Sequence, residues 1–169
     1  MTRTVISGLT ATLLLLFSLT AFAAEAPDFI LEDTEGDLLT LSDLDIDGLL
    51  LLNFWATWCK PCKSEMPHLQ ALYDKYSEDG LQLIMVAEDS PKTQSKVRPY
   101  INSKGFTFQV LLDPDQEVLS LFQGSTLPYQ VLIDSDGSII ETHQGYTHGD
   151  EVVLEAKIRE LLKLESGDE

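Results

Sequence analysis

The chain has two cysteines, and both stand in the segment Trp58-Cys59-Lys60-Pro61-Cys62. Three chemistries use a pair of thiols at this spacing. A purely structural disulfide is the plainest, but closing so short a ring contributes only about 2 kcal/mol in the loop-closure description. Structural zinc needs about four ligands, so two more would have to come from His68, His143 and His148. None of these has a paired spacing such as His-x-x-x-His, and Gly145 interrupts the stretch between His143 and His148. His68 lies beyond Cys62 on the same stretch and is expected to face solvent. Each histidine is therefore read as a surface or packing residue, and no metal is expected. Thiol–disulfide exchange explains more. Two intervening residues let the second thiol reach the first and expel a bound partner. A thiolate at the start of a helix faces unpaired N–H groups and the positive end of the dipole, which lower its pKa. Pro61 suits the first helical turn, where its missing N–H costs nothing.

The flanking elements must place the pair there. Leu49–Trp55 is a nearly continuous apolar run, as expected of a strand covered on both faces. After the cysteines, Leu69, Leu72, Tyr73 and Tyr76 recur at helical spacing, predicting a helix from about Cys59 to Ser77. Pro67 should kink it after its second turn. Leu81–Ala87 reads as a second buried strand. Thr93–Lys104 reads as a helix interrupted by Pro99, followed by a strand near Phe108–Leu112 and a short helix at Glu117–Phe122. Two hairpins are predicted. Phe29–Glu32 and Leu38–Leu41 flank the turn residues 33–37, and Tyr129–Ile133 and Ser138–Gln144 flank Asp134-Ser135-Asp136-Gly137. Ser42-Asp43-Leu44 reads as a short capped turn. Val152, Val153, Ala156, Ile158, Leu161 and Leu162 mark a closing helix, and Glu165–Glu169 should fray. The alternation predicts an α/β domain with a mixed sheet and helices on both faces.

Length and charge limit the partners. At 169 residues and 44% hydrophobic composition, the chain supports one domain with its own core. A formal charge of −17 argues against a nucleic-acid partner, whose phosphates call for clustered cations. Residues 1–23 read as a signal peptide. Arg3 is followed by an apolar run centred on Leu13–Phe17, which ends in the small-residue pattern Ala21-Phe22-Ala23. A retained anchor over residues 5–24 is the alternative, since that span approaches a bilayer width. A lipoprotein is not expected, because neither cysteine lies near the processing site. Residues 24–169 would then form the mature domain in a periplasmic or otherwise extracytoplasmic space, where disulfides persist.

Asn53-Phe54-Trp55-Ala56-Thr57-Trp58-Cys59-Lys60-Pro61-Cys62-Lys63-Ser64-Glu65-Met66-Pro67 resembles the active-site segment of thioredoxin-fold proteins, and more narrowly of TlpA/ResA-like thiol–disulfide oxidoreductases. The likeness continues through Ala26-Pro27-Asp28-Phe29, Leu41-Ser42-Asp43-Leu44 and Thr126-Leu127-Pro128. It implies a thioredoxin-like fold with an N-terminal β-hairpin extension. It also implies that Cys59 is the exposed attacking sulfur, Cys62 the buried resolving one, and Pro128 a cis-proline beside them. Leu127 would offer its backbone to substrate. From sequence alone Pro128 could equally be a trans loop proline.

Ordinary thioredoxins carry a buried aspartate where Asn53 stands, and Asn53 cannot exchange a proton. Glu65, three residues past Cys62 and on its helix face, is the candidate for tuning the cysteine pKa values. A solvated helix carboxylate is the alternative. Lys60 and Lys63 bracket the pair and could hold a thiolate or an acidic substrate, or serve solubility alone. Trp58 and Trp55 read as packing and as a flat rim beside Cys59, although packing alone accounts for Trp55. The carboxylates from Glu25 to Asp47 read as a solvated face, and Glu88 as a residue near the site without an assigned role.

The expected activity is exchange with protein thiols and disulfides, using the Cys59–Cys62 disulfide as the redox centre and no bound cofactor. The resemblance favours a reductant recharged by a membrane thiol-electron carrier and acting on apocytochrome c or its chaperones. A disulfide oxidase or isomerase is one alternative. Non-catalytic delivery of Cu(I) is another, although Met66 and Met85 lack clear ligand spacing. A peroxidase fits less well, because the residues before Cys59 do not form a Pro-x-x-x-Thr-x-x-Cys segment.

Overall fold

A computed structural model describes residues 24–164. The expected leader over residues 1–23 and the tail expected to fray, Glu165–Glu169, lie outside the described residues. β3 (Leu49–Trp55) and β4 (Leu81–Ala87) occupy the centre of a seven-stranded sheet and run parallel in continuous register from Leu49↔Leu81 to Trp55↔Ala87. The four-leucine run makes a strand buried at every position because it divides its side chains between two cores. Leu49, Leu51 and Trp55 enter one core; Leu50, Leu52 and Phe54 enter the other. The strand starts are held close by glycines, since a Cβ on Gly48 would lie 2.7 Å from the Gly80 carbonyl oxygen.

The full order is β2-β1-β5-β4-β3-β6-β7. β5 (Gln109–Leu112) runs parallel to β4, whereas β6 (Tyr129–Asp134) is antiparallel to β3 and pairs with β7 (Ile139–Gln144). The N-terminal hairpin, β1 (Ile30–Asp33) and β2 (Leu38–Thr40), extends the sheet by pairing β1 antiparallel with β5. Its turn closes on Asp33, whose Oδ1 accepts from the N–H groups of Glu35 and Asp37. Leu41–Asp43 forms the expected short turn, capped by Asp28, which accepts from both the N–H and the hydroxyl of Ser42.

Helices cover both faces. α1 (Lys60–Tyr76), α2 (Val97–Lys104) and α4 (Asp150–Leu161) pack on one core, and α3 (Glu117–Leu121) packs on the other with the segment around Phe29 and Leu41. The helix expected over Thr93–Lys104 is shorter. A 3-10 turn at Gln94–Lys96 precedes α2, so Pro99 falls in its first turn rather than interrupting it. α1 continues as one helix through Pro67. α4 forms as expected, but Val152 and Val153 are exposed and only Ile158 is fully buried. Among the described residues, no helix is long and apolar enough to cross a membrane.

Candidate active site

Where β3 ends, the chain turns through Ala56–Trp58 and enters α1 with Cys59 as its N-cap. The turn is held from both sides. Cys59 N–H donates to the Ala56 carbonyl at 3.0 Å, and the buried Asp89 carboxylate accepts from the N–H and the hydroxyl of Thr57 at 2.7 and 2.5 Å. Cys59 and Cys62 are joined as a disulfide. Cys59 Sγ accepts a hydrogen bond from Cys62 N–H at 3.2 Å, so a sulfur occupies the place a serine or aspartate oxygen takes at an ordinary cap. Pro61 sits in the first turn, where its missing N–H forfeits no intrahelical hydrogen bond. A thiolate at this point is stabilised by the N–H and by the helix dipole together.

Cys59, expected as the exposed sulfur, is 4% exposed and Cys62 0%, so in the disulfide form both are covered. Beside them Trp58 is 61% exposed, while Trp55 is fully buried against Tyr100 and belongs to the core. Leu127–Pro128 is a cis peptide bond, and Leu127 packs against both cores. Lys60 is exposed; Lys63 is half-buried, 6.0 Å from the Tyr100 ring centre.

Glu65 is not a solvated carboxylate. It is 3% exposed and faces the sheet, where Asn53 Nδ2 donates to its Oε2 at 2.9 Å and Gln130 Nε2 donates to its Oε1 at 2.7 Å. Burial, and secondarily the negative charges of Asp150 and Glu151, push the carboxyl up from 4.5 to about 7, against the lowering effect of the Asn53 hydrogen bond. A carboxyl so placed changes protonation state across neutral pH. A cavity of about 340 Å³ between α1, α4 and β6–β7 has Glu65, Gln130, Leu69 and Asp150 among its walls.

Gln130 was missed from the sequence. Its signal is a polar residue on the α1 side of an otherwise apolar strand, the same signal that marks Asn53 in β3. Glu88 does come near, since its N–H donates to the Trp55 carbonyl at 2.8 Å. Both its carboxyl oxygens are buried without a hydrogen-bond partner. Burial, then the neighbouring Asp113 and Asp89, push it up to about 9. His143 and His148 are exposed, as expected of surface residues, whereas His68 does not simply face solvent. His68 is half-buried, with Tyr146 and His148 beside its ring. Of the nine carboxylates from Glu25 to Asp47, all but Asp33 are exposed, in keeping with a solvated face.

ResA of Bacillus thuringiensis (strain Al Hakam), a thiol-disulfide oxidoreductase, is 42% identical over 104 residues, which are 62% of this chain and 58% of the relative. The matched segment thus spans little more than half the length of that curated relative. A candidate thiol:disulfide interchange protein DsbE from Chlorobium tepidum superposes with a TM-score of 0.76 at 29% identity, covering 83% of this chain and 96% of that one. StoA from Bacillus subtilis superposes with a TM-score of 0.63 at 26% identity, covering 78% and 97%. The AhpC/TSA family model matches residues 22–142. Because that match runs from ahead of the N-terminal hairpin into β7 and takes in the cysteine-capped helix on the way, the chain belongs to the AhpC/TSA family.

Proposed function

We propose that the protein is an extracytoplasmic thiol–disulfide oxidoreductase that reduces protein disulfides through Cys59 and Cys62. The observation that carries this reading is the sulfur at the α1 N-cap, hydrogen-bonded at 3.2 Å to the N–H of the second cysteine. In the reduced form the Cys59 thiolate attacks one sulfur of a substrate disulfide. That bond breaks, the other substrate sulfur leaves as a thiolate and takes a proton, and a mixed disulfide forms. Cys62 then gives up its proton, with Glu65 as the acceptor one turn along α1, and attacks Cys59 Sγ. The mixed disulfide breaks, the reduced substrate departs and Cys59–Cys62 closes. Two electrons have passed from the cysteine pair to the substrate. Trp58 and the Leu127 backbone beside Pro128 flank the bound peptide, Asn53 holds Glu65, and Lys60 and Pro61 favour the thiolate and the helix start. No bound cofactor takes part.

A membrane thiol-electron carrier restores the dithiol. Substrates are extracytoplasmic protein disulfides, with apocytochrome c cysteines or their chaperones the class that the ResA likeness favours. Export rests on the leader over residues 1–23, whether cleaved or kept as an anchor over 5–24. The Leu52 and Ala56 positions support exchange over peroxidase chemistry, since they carry neither the proline nor the threonine of a Pro-x-x-x-Thr-x-x-Cys segment.

Equilibration in glutathione buffers of graded ratio, followed by Trp58 fluorescence, tests the direction. A potential near about −270 mV, that of thioredoxin, is the expected result, whereas one near about −120 mV, that of DsbA, would make the protein an oxidant. A disulfide inert to dithiothreitol would remove the exchange reading altogether. Cu(I) binding that survives competing thiols would replace it with metal delivery.

A further inference from the structure

His68, in the third turn of α1, and His148, in the loop between β7 and α4, have ring centres 6.2 Å apart. Glu151, in the first turn of α4, completes the group. One ligand atom from each of the three lies within 4.8 Å of the other two. His148 Nδ1 is 3.3 Å from Glu151 Oε1. That separation is the edge of a tetrahedron with bonds of about 2.0–2.1 Å, the length of zinc bonds to imidazole nitrogen and carboxylate oxygen. The remaining oxygen, Oε2, is anchored by the Tyr146 hydroxyl at 2.9 Å and the Gly149 N–H at 2.8 Å. One oxygen of Glu151 is therefore fixed by outer partners while the other faces the imidazoles, as in ligand sets oriented from behind.

We propose that His68, His148 and Glu151 bind one divalent transition-metal ion of borderline softness, Zn²⁺ or Cu²⁺, with a fourth position left to water. Two imidazoles and a carboxylate suit these ions, whereas Mg²⁺ and Ca²⁺ take oxygen ligands. Two histidines with one glutamate is also a donor set of three-ligand zinc centres. The cysteines take no part, and His68 joins the locally spaced His148–Glu151 pair from a distant helix, so local spacing alone does not announce the site. A bound ion would fasten the loop before α4 to α1 beside the cavity that Glu151 and Glu65 both line.

The test is calorimetric titration of ZnCl₂ into the protein with its disulfide closed, which withholds the thiols and makes the result independent of exchange activity. One ion per chain is expected. His68→Gln and His148→Gln should each weaken binding at least tenfold, His143→Gln by less than twofold, and MgCl₂ should give no binding at the same concentration. Electron paramagnetic resonance of the Cu²⁺-loaded protein should show coupling to two nitrogens, and circular dichroism should show each variant folded. A stoichiometry well below one, or zinc affinity unchanged in both His68→Gln and His148→Gln, would overturn the assignment.

Discussion

Replacing Glu65 with glutamine keeps the size of the side chain and removes its charge. The carboxyl lies at about 7 instead of 4.5, chiefly because it is buried, and this displacement corresponds to ~3 kcal/mol at about 1.4 kcal/mol per tenfold change in proton affinity. Between pH 4.5 and 7 the folded protein holds a proton that the unfolded chain has released. The wild-type protein therefore loses stability at ~1.4 kcal/mol per pH unit across that window, with no further loss from this group above it. The Glu65→Gln variant lacks that slope. Its new amide N–H₂ meets the amide of Asn53, whose Oδ1 is buried without a partner and becomes an acceptor if the amide turns over. The cost of the exchange is thus small and independent of pH. Urea unfolding of the oxidised forms should give nearly equal stabilities at pH 4.5. By pH 8 the variant should lead by ~3 kcal/mol, less that constant cost. Contributions from Glu88 are common to both proteins and cancel. A stability difference that is the same at pH 5 and pH 8 would refute the placement of Glu65 as a buried carboxyl titrating near neutrality.

Two more predictions concern Glu88 and Asp113, which are also buried. Glu88→Gln should stabilise the protein increasingly from pH 4.5 towards 9, because the wild-type carboxyl is raised to about 9 and its folded form resists ionisation; unfolding at pH 5 and pH 8 checks this. Asp113 accepts from the N–H groups of Glu117, Val118 and Leu119 at the start of α3. Asp113→Ala leaves those donors unsatisfied and should cost ~2–4 kcal/mol in denaturant unfolding, with Asp113→Asn less damaging.

Local sequence carried the sulfur chemistry and the central strands, because their causes are local. A short, nearly continuous apolar run followed by turn residues suits a doubly covered strand, and Cys59 with Pro61 marks a helix start within a few residues. What escaped depends on long-range pairing. Gln130 reaches Glu65 across 65 positions, and Asp28 caps a turn 14 residues away. His68 meets His148 only because α1 and the loop before α4 converge. Periodicity also predicted α4 without predicting which face would be covered, so Val152 and Val153 fit the helical pattern yet face solvent. The Pro99 expectation erred because helix starts are weakly marked in sequence. The position of Pro99 within its helix depends on where the preceding 3-10 turn stops, and neighbouring residue types do not fix that boundary.

The N-terminal hairpin also changes how this protein meets copies of itself. By pairing with β5, it removes a buried, valine- and leucine-bearing strand from the sheet's rim and leaves the three-residue β2 there instead. So short a border offers an incoming strand few backbone groups to template on. Acidic side chains on either side of it, Asp37 and Asp43, meet an identical neighbour with like charge, which makes this border a guard against stacking into aggregates.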